Sequence, residues 1–173
     1  MSIQVRPATT ADHPAVARLT VDAYRADGQL EAETGRYADV LADVAGRADQ
    51  TEILVAVDSD GGADGGVLGA VAFVLPGSAF AELARPGEAE FRMLAVDPSA
   101  QGRGVGQALV RACVARAREV RASGILIFTR SFAERAQRFY TRMGFVRAPE
   151  HDRSPMPGVD LLALHLPITP AEV

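Results

Sequence analysis

Apolar positions along the chain change their spacing several times, and each change marks an element. Residues 3–6 alternate apolar and polar like a short strand, and Thr9 or Thr10 can cap a helix that runs through Val16, Leu19 and Tyr24 until Gly28 stops it. A second amphipathic stretch carries Tyr37, Val40, Leu41 and Val44. Residues 52–57 read as a buried strand, residues 58–66 as a polar, glycine-rich turn, and residues 67–75 as the return strand of a hairpin ended by Pro76 and Gly77. A connector of undefined structure follows. Then come a strand over 90–96, a glycine-rich turn, a long helix to about residue 122, a strand over 125–129, a helix over 133–143, a short strand at Phe145-Val146 and a last strand over 159–166. Residues 148–158, with three prolines, read as a loop inserted in the domain.

The centre of this pattern is strand, turn, helix, strand. A right-handed crossover makes the two strands parallel neighbours, whereas the preceding hairpin is antiparallel. The expected fold is therefore α/β: one domain over residues 1–173, with a mixed central sheet flanked by helices on both faces.

Composition narrows the function classes. The 173 residues are 48% apolar and 23% charged, which suits a globular domain and excludes a disordered chain, a coiled coil or a fibre. The longest apolar stretch, residues 67–75, is far short of a bilayer span, and the first residues lack the basic and apolar parts of a signal peptide, so a soluble, cytoplasmic protein without a membrane role is expected. The single cysteine, Cys113, lies four residues after Leu109 on an apolar helical face and is expected in the core. His13, His151 and His165 are scattered, and no metal site is expected.

All 18 basic residues are arginines, against 22 acids. Ten arginines and two acids fall within residues 101–147, a local sum of +8, while residues 1–100 sum to −9. One segment suits an anion, and the rest suits a cation. Neither the overall charge nor the aromatic content suits nucleic acid, which is not expected as a partner.

The basic segment opens on Gln101-Gly102-Arg103-Gly104-Val105-Gly106, three glycines in five residues where a helix begins. Glycines there bring the backbone close to a ligand, free N–H groups point outward, and the positive end of the helix dipole lies behind them. A phosphate-sized socket is expected. It is not a Walker A loop, which needs a lysine, nor a dinucleotide fingerprint, whose third glycine falls one residue later and whose next strand ends in an acid rather than Arg130.

These residues resemble the central signature of the GNAT superfamily of acyl-CoA-dependent N-acetyltransferases, Gln/Arg-x-x-Gly-x-Gly/Ala after a strand. Met93-Leu94-Ala95-Val96-Asp97-Pro98 is similar to the strand end before that signature, and Arg138-Phe139-Tyr140-Thr141-Arg142-Met143-Gly144-Phe145 to the family's second signature. The resemblance implies an acetyltransferase that uses acetyl-CoA as co-substrate and a primary amine of a small molecule or peptide as acceptor. It implies that the backbone of Leu94, Ala95 and Val96 lines the pantetheine arm, and that amides from Gly102 to Gln107, through Arg103, Gly104, Val105 and Gly106, hold the pyrophosphate. Many members carry an Asn at the start of the second helix to bond the pantetheine; here that contact is lost or taken by Ser131. A homodimer is common in the family. The alternative function is a non-catalytic acyl-CoA sensor that keeps the phosphate turn without a working base.

Acetyl transfer needs a neutral amine and a proton for the departing thiolate. A carboxylate in the cleft takes the amine's proton, and Glu90 is the first candidate, with Glu88 and Glu82 as rivals. Tyr140 is the candidate acid for the leaving group, and a backbone N–H on the 90–96 strand the candidate oxyanion donor. Glu31, Glu33, Glu82, Glu88 and Asp152 outnumber Arg85 and Arg153 around the expected acceptor end, which favours a cationic amine.

Overall fold

The computed structural model describes residues 2–31, 36–60 and 66–169. Residues 61–65 of the expected turn, and residues 32 and 33 of the expected acceptor wall, lie outside this range. The strands are β1 (Ile3–Pro7), β2 (Glu52–Asp58), β3 (Val67–Val74), β4 (Ala89–Val96), β5 (Gly124–Arg130), β6 (Val146–Arg147), β7 (Arg153–Met156) and β8 (Val159–Pro167). The helices are α1 (His13–Ala26), α2 (Arg36–Ala42), α3 (Val44–Ala48), α4 (Val105–Glu119) and α5 (Glu134–Arg142).

The strands form one mixed sheet in the order β1-β2-β3-β4-β5-β8-β6, with β7 added against β8. Every pairing is antiparallel except β4 with β5, the expected parallel pair. Strand residues alternate faces, which divides the core in two. On one face Val16, Leu19 and Ala23 of α1 pack with Val44 on Ile53, Val55 and Ala70. On the other, Leu109, Val110, Cys113 and Ala117 of α4 pack with Phe73, Phe91, Ile125, Ile127 and Tyr140. Cys113 is fully buried, and burial pushes its thiol far above the ordinary range, so it behaves as a small core residue.

Several boundaries differ from expectation for local reasons. Thr9 and Thr10 begin a 3-10 turn before α1: the Thr9 N–H and hydroxyl both donate to Asp12 Oδ2, at 2.7 and 2.9 Å. The second amphipathic stretch breaks into α2 and α3 at Asp43, whose side chain accepts from the Gly46 amide at 3.0 Å and starts a new helix. Phe145 lies in the core and the short strand begins after it, at Val146. The 148–158 segment is not only an inserted loop. It folds back as β7 against β8, with Pro155 on the outer strand, where a missing N–H donor costs little. Among the described residues, no helix is long and apolar enough to cross a membrane.

Candidate active site

Ladder pairing between β4 and β5 is confined to Ala89 with Ile125 and Glu90 with Leu126. Beyond these pairs the strands part, and the gap is a cavity of about 800 Å³ walled by the ends of β4 and β5, the start of α4, α5 and the end of α1. A bulge helps to open it. The register of β4 on β3 shifts between Ala72 opposite Arg92 and Ala70 opposite Ala95, and Met93 takes φ 55°, a left-handed conformation costly for a side-chain-bearing residue. The bulge also reverses which β4 side chains face each helix layer: Phe91 packs on the α4 side before it, and Leu94 and Val96 pack there after it.

The phosphate-sized socket lies at one end. Gly104 caps α4 with φ 86°, and the first helical N–H to find a partner is that of Ala108, donating to the Gly104 carbonyl at 3.0 Å. The amides of Val105, Gly106 and Gln107 therefore have no intrahelical partner. Gly102 has φ 77°, and a Cβ on either Gly102 or Gly104 would meet nothing within 4 Å, so the backbone surface is open there to a ligand. Gln101, Gly102, Gly104, Val105, Gly106 and Gln107 line the cavity, as do Leu94, Ala95 and Val96. Thr129, also in the wall, holds a buried hydroxyl without a hydrogen-bond partner. A flexible arm with amide groups, ending in phosphates, fits this combination: open amides at the helix end and an orphaned hydroxyl along the gap. Arg103 and Ser131 are not in the wall. Ser131 instead donates its amide to the Asp160 carbonyl at 2.9 Å and accepts at its own carbonyl from Gln137.

Tyr140 lies in the cavity wall, its ring packed among Phe91, Phe139 and Phe145. Burial raises its phenol well above the ordinary value, so it stays protonated. Phe139, its neighbour, packs at the edge of the same core and against the start of α4 beside Gly106.

Glu90 lies elsewhere. Its side chain is 1% exposed and outside the cavity wall. Its carboxylate accepts from the backbone N–H groups of Glu82, Leu83 and Ala84 at 2.8–3.2 Å, clamping the connector before β4. Both of its oxygens thus accept from connector amides, and Glu90 is not among the residues that line Tyr140's cavity. The rivals are engaged too. Glu88 accepts from the Arg85 amide at 3.0 Å; Glu82 pairs with Arg92 at 3.1 Å and with Arg153 through its other oxygen.

The acidic acceptor wall expected from residue counting is likewise neutralised. Glu82 is shared by two arginines, and Asp152 accepts two bonds from Arg147 and one from the Ala163 amide. What lines the acceptor end instead is Tyr24, Asp27 and Gln29 from the end of α1, with Arg92, Phe128 and Arg130 from the sheet. Tyr24 is held protonated by desolvation, its ring 6.0 Å from that of Tyr37. Counting missed this group because α1 and β5 are remote in sequence; an arginine ending an otherwise apolar strand was the available signal. No cluster of three or more metal-binding side chains occurs among the described residues.

Residues 49–147, more than half of the chain, match the family model described as Acetyltransferase (GNAT) domain. The structure superposes with a TM-score of 0.73 on a Corynebacterium glutamicum protein described as histone acetyltransferase HPA2 and related acetyltransferase, 26% identical over all of both chains. It superposes at 0.68 on a GCN5-related N-acetyltransferase from Kribbella flavida, 28% identical over 95% of this chain and 97% of that one. A Thermoplasma acidophilum N-acetyltransferase solved in complex with coenzyme A, 13% identical, shares the fold at 0.70 over 96% and 99% of the two chains. A mycothiol acetyltransferase from Nocardia farcinica is 37% identical over 67 residues, 39% of this chain, a match that spans only 22% of that relative's length. Signature turn, parted strands and family match agree: this chain belongs to the GNAT acetyltransferase superfamily.

Proposed function

We propose that this chain transfers the acetyl group of acetyl-CoA to a primary amine of a small molecule or peptide. The observation that carries the reading is the gap between β4 and β5, with open helix-end amides at one end and the protonated Tyr140 facing into it. Acetyl-CoA supplies the thioester. The free amides at the start of α4 hold its phosphates, and the strand ends of β4 direct the arm along the gap. Backbone N–H groups at the Met93 bulge, displaced from the regular ladder, stabilise charge on the carbonyl oxygen.

As the amine nitrogen bonds the acetyl carbon and the carbon–sulfur bond breaks, one proton leaves the nitrogen and one reaches the sulfur. Tyr140 gives the second. The first goes, directly or through water, to Asp27, the exposed carboxylate at the acceptor end, in place of Glu90. Because Glu90 is bound to the connector amides, a non-catalytic acyl-CoA sensor is the second reading. Thiol release over a broad amine panel separates the two: release that requires Asp27 and Tyr140 supports transfer, whereas firm acetyl-CoA binding without release supports the sensor.

A further inference from the structure

Arg130 ends β5 in the wall of the acceptor end and is only 7% exposed. Its two terminal nitrogens donate to backbone carbonyls, Nη1 to Gln29 at 3.0 Å and Nη2 to Gly158 at 3.1 Å. Its Nε–H has no acceptor, and the Phe132 ring, half exposed, lies 5.1 Å from the guanidinium carbon. No carboxylate among the described residues lies within ion-pair distance of it. Buried cations in proteins are ordinarily paired, because a guanidinium keeps its charge at any ordinary pH and loses hydration on burial. Two neutral carbonyls fix this one in place without cancelling its charge.

The other arginines of this face differ. Arg92 and Arg153 share Glu82, and Arg153 also covers the Phe128 ring at 5.1 Å. Among the described residues, the acceptor end therefore carries Asp27 and, in Arg130, a buried guanidinium without an ion-pair partner.

From this juxtaposition we propose that the acceptor is an amine that also carries a carboxylate, and that Arg130 is the residue that selects it. The proposal rests on the acetyl-transfer reading above for the amine, but the carboxylate preference follows from the unpaired charge alone. A charged hydrogen-bonding partner in a partly dry site is worth a factor of about 10 to about 100 in affinity, more than the surrounding surface charges contribute. The same positive wall repels polyamines, reversing the preference expected from counting acids.

Binding is measured by calorimetry on the full chain, with and without CoA. The probes are N-acetylglycine, N-acetylalanine and N-acetylphenylalanine, each against its carboxamide. The wild-type chain is expected to bind each acid about tenfold or more tightly than its amide. Raising ionic strength from about 0.1 M to about 1 M, which shortens the Debye length from about 10 Å to about 3 Å, should shrink the ratio. Arg130→Gln should bring the ratio to unity and Arg130→Lys should keep part of it, whereas a merely structural role would weaken acid and amide together. Equal or tighter binding of the amides by the wild-type chain, no binding of any acid, or an unchanged ratio in Arg130→Gln overturns the proposal. If Arg130→Gln does not fold, the wild-type ratio and its salt dependence decide. Turnover with free amino acids and their amides distinguishes the two readings. An acid-over-amide binding ratio without any thiol release leaves the Arg130 assignment and removes acetyl transfer, and acetylation that prefers amides does the reverse.

Discussion

Replacing Glu90 separates two accounts of the same carboxylate. In the structure Oε2 alone accepts from three backbone amides, those of Glu82, Leu83 and Ala84 at 3.0, 2.8 and 3.0 Å. A hydrogen bond to a charged acceptor contributes roughly 1.5–3 kcal/mol and one to a neutral acceptor about 0.5–1.5 kcal/mol. In Glu90→Gln the amide oxygen can take the Oε2 place and keep all three bonds, weakened by about 1 kcal/mol each, so the expected loss of stability is about 2–3 kcal/mol. For a chain of this size each kcal/mol moves the melting temperature by about 2–4 °C, giving a drop of about 4–12 °C. Glu90→Ala strands three donors and should cost more. Catalysis should change little: kcat of folded Glu90→Gln within about threefold of wild type, against the ~100- to 10,000-fold loss expected on removing a general base. Differential scanning calorimetry and thiol-release kinetics on one preparation give both numbers. An unchanged melting temperature with a hundredfold loss of kcat would refute the structural role and restore Glu90 as the base.

Three further outcomes are expected. Tyr140→Phe should lower kcat ~100- to 10,000-fold in steady-state assays with little change in acetyl-CoA binding, and because burial raises the wild-type phenol, no acid form should be lost from the rate profile below about pH 10. Gly104→Val should abolish acetyl-CoA binding in calorimetric titration, since its side chain enters the open face of the socket, and should cost about 1–2 kcal/mol because Gly104 has φ 86°. Asp12, bonded by Arg6 at 2.8 and 3.0 Å and by Thr9, is held well below the usual carboxylate range, so its stabilising contribution is present above about pH 4 and fades as pH falls; Asp12→Asn should be the less stable protein at pH 7, and that gap should narrow without closing at pH 2–3 in urea titrations.

Local chemistry was readable from the chain because it is written in adjacent residues. The three glycines opening α4, and the Tyr140 helix that ends before Gly144-Phe145, needed only spacing and helical period. The engagement of Glu90 was not legible, because it depends on the connector folding back so that three consecutive amides converge on one oxygen, a geometry that strand alternation does not reveal. The surroundings of Arg130 became visible only in three dimensions: one of its partners lies 101 residues away, and no carboxylate among the described residues pairs with it. Proline concealed β7, since a proline-rich segment reads as a loop unless the strand is known to lie at an edge. Acid counting around the acceptor end was incomplete for a related reason, as it gave charges without their partners.

The most direct test of acetyl transfer is to incubate the full chain with acetyl-CoA and a mixed panel of amino acids, their amides and peptides, and to follow free thiol and product mass in the same sample. The account predicts one acetyl group gained by an amine for each thiol released, lost in Tyr140→Phe and absent in Gly104→Val. Thiol release without an acetylated amine, or firm acetyl-CoA binding with neither, would contradict it.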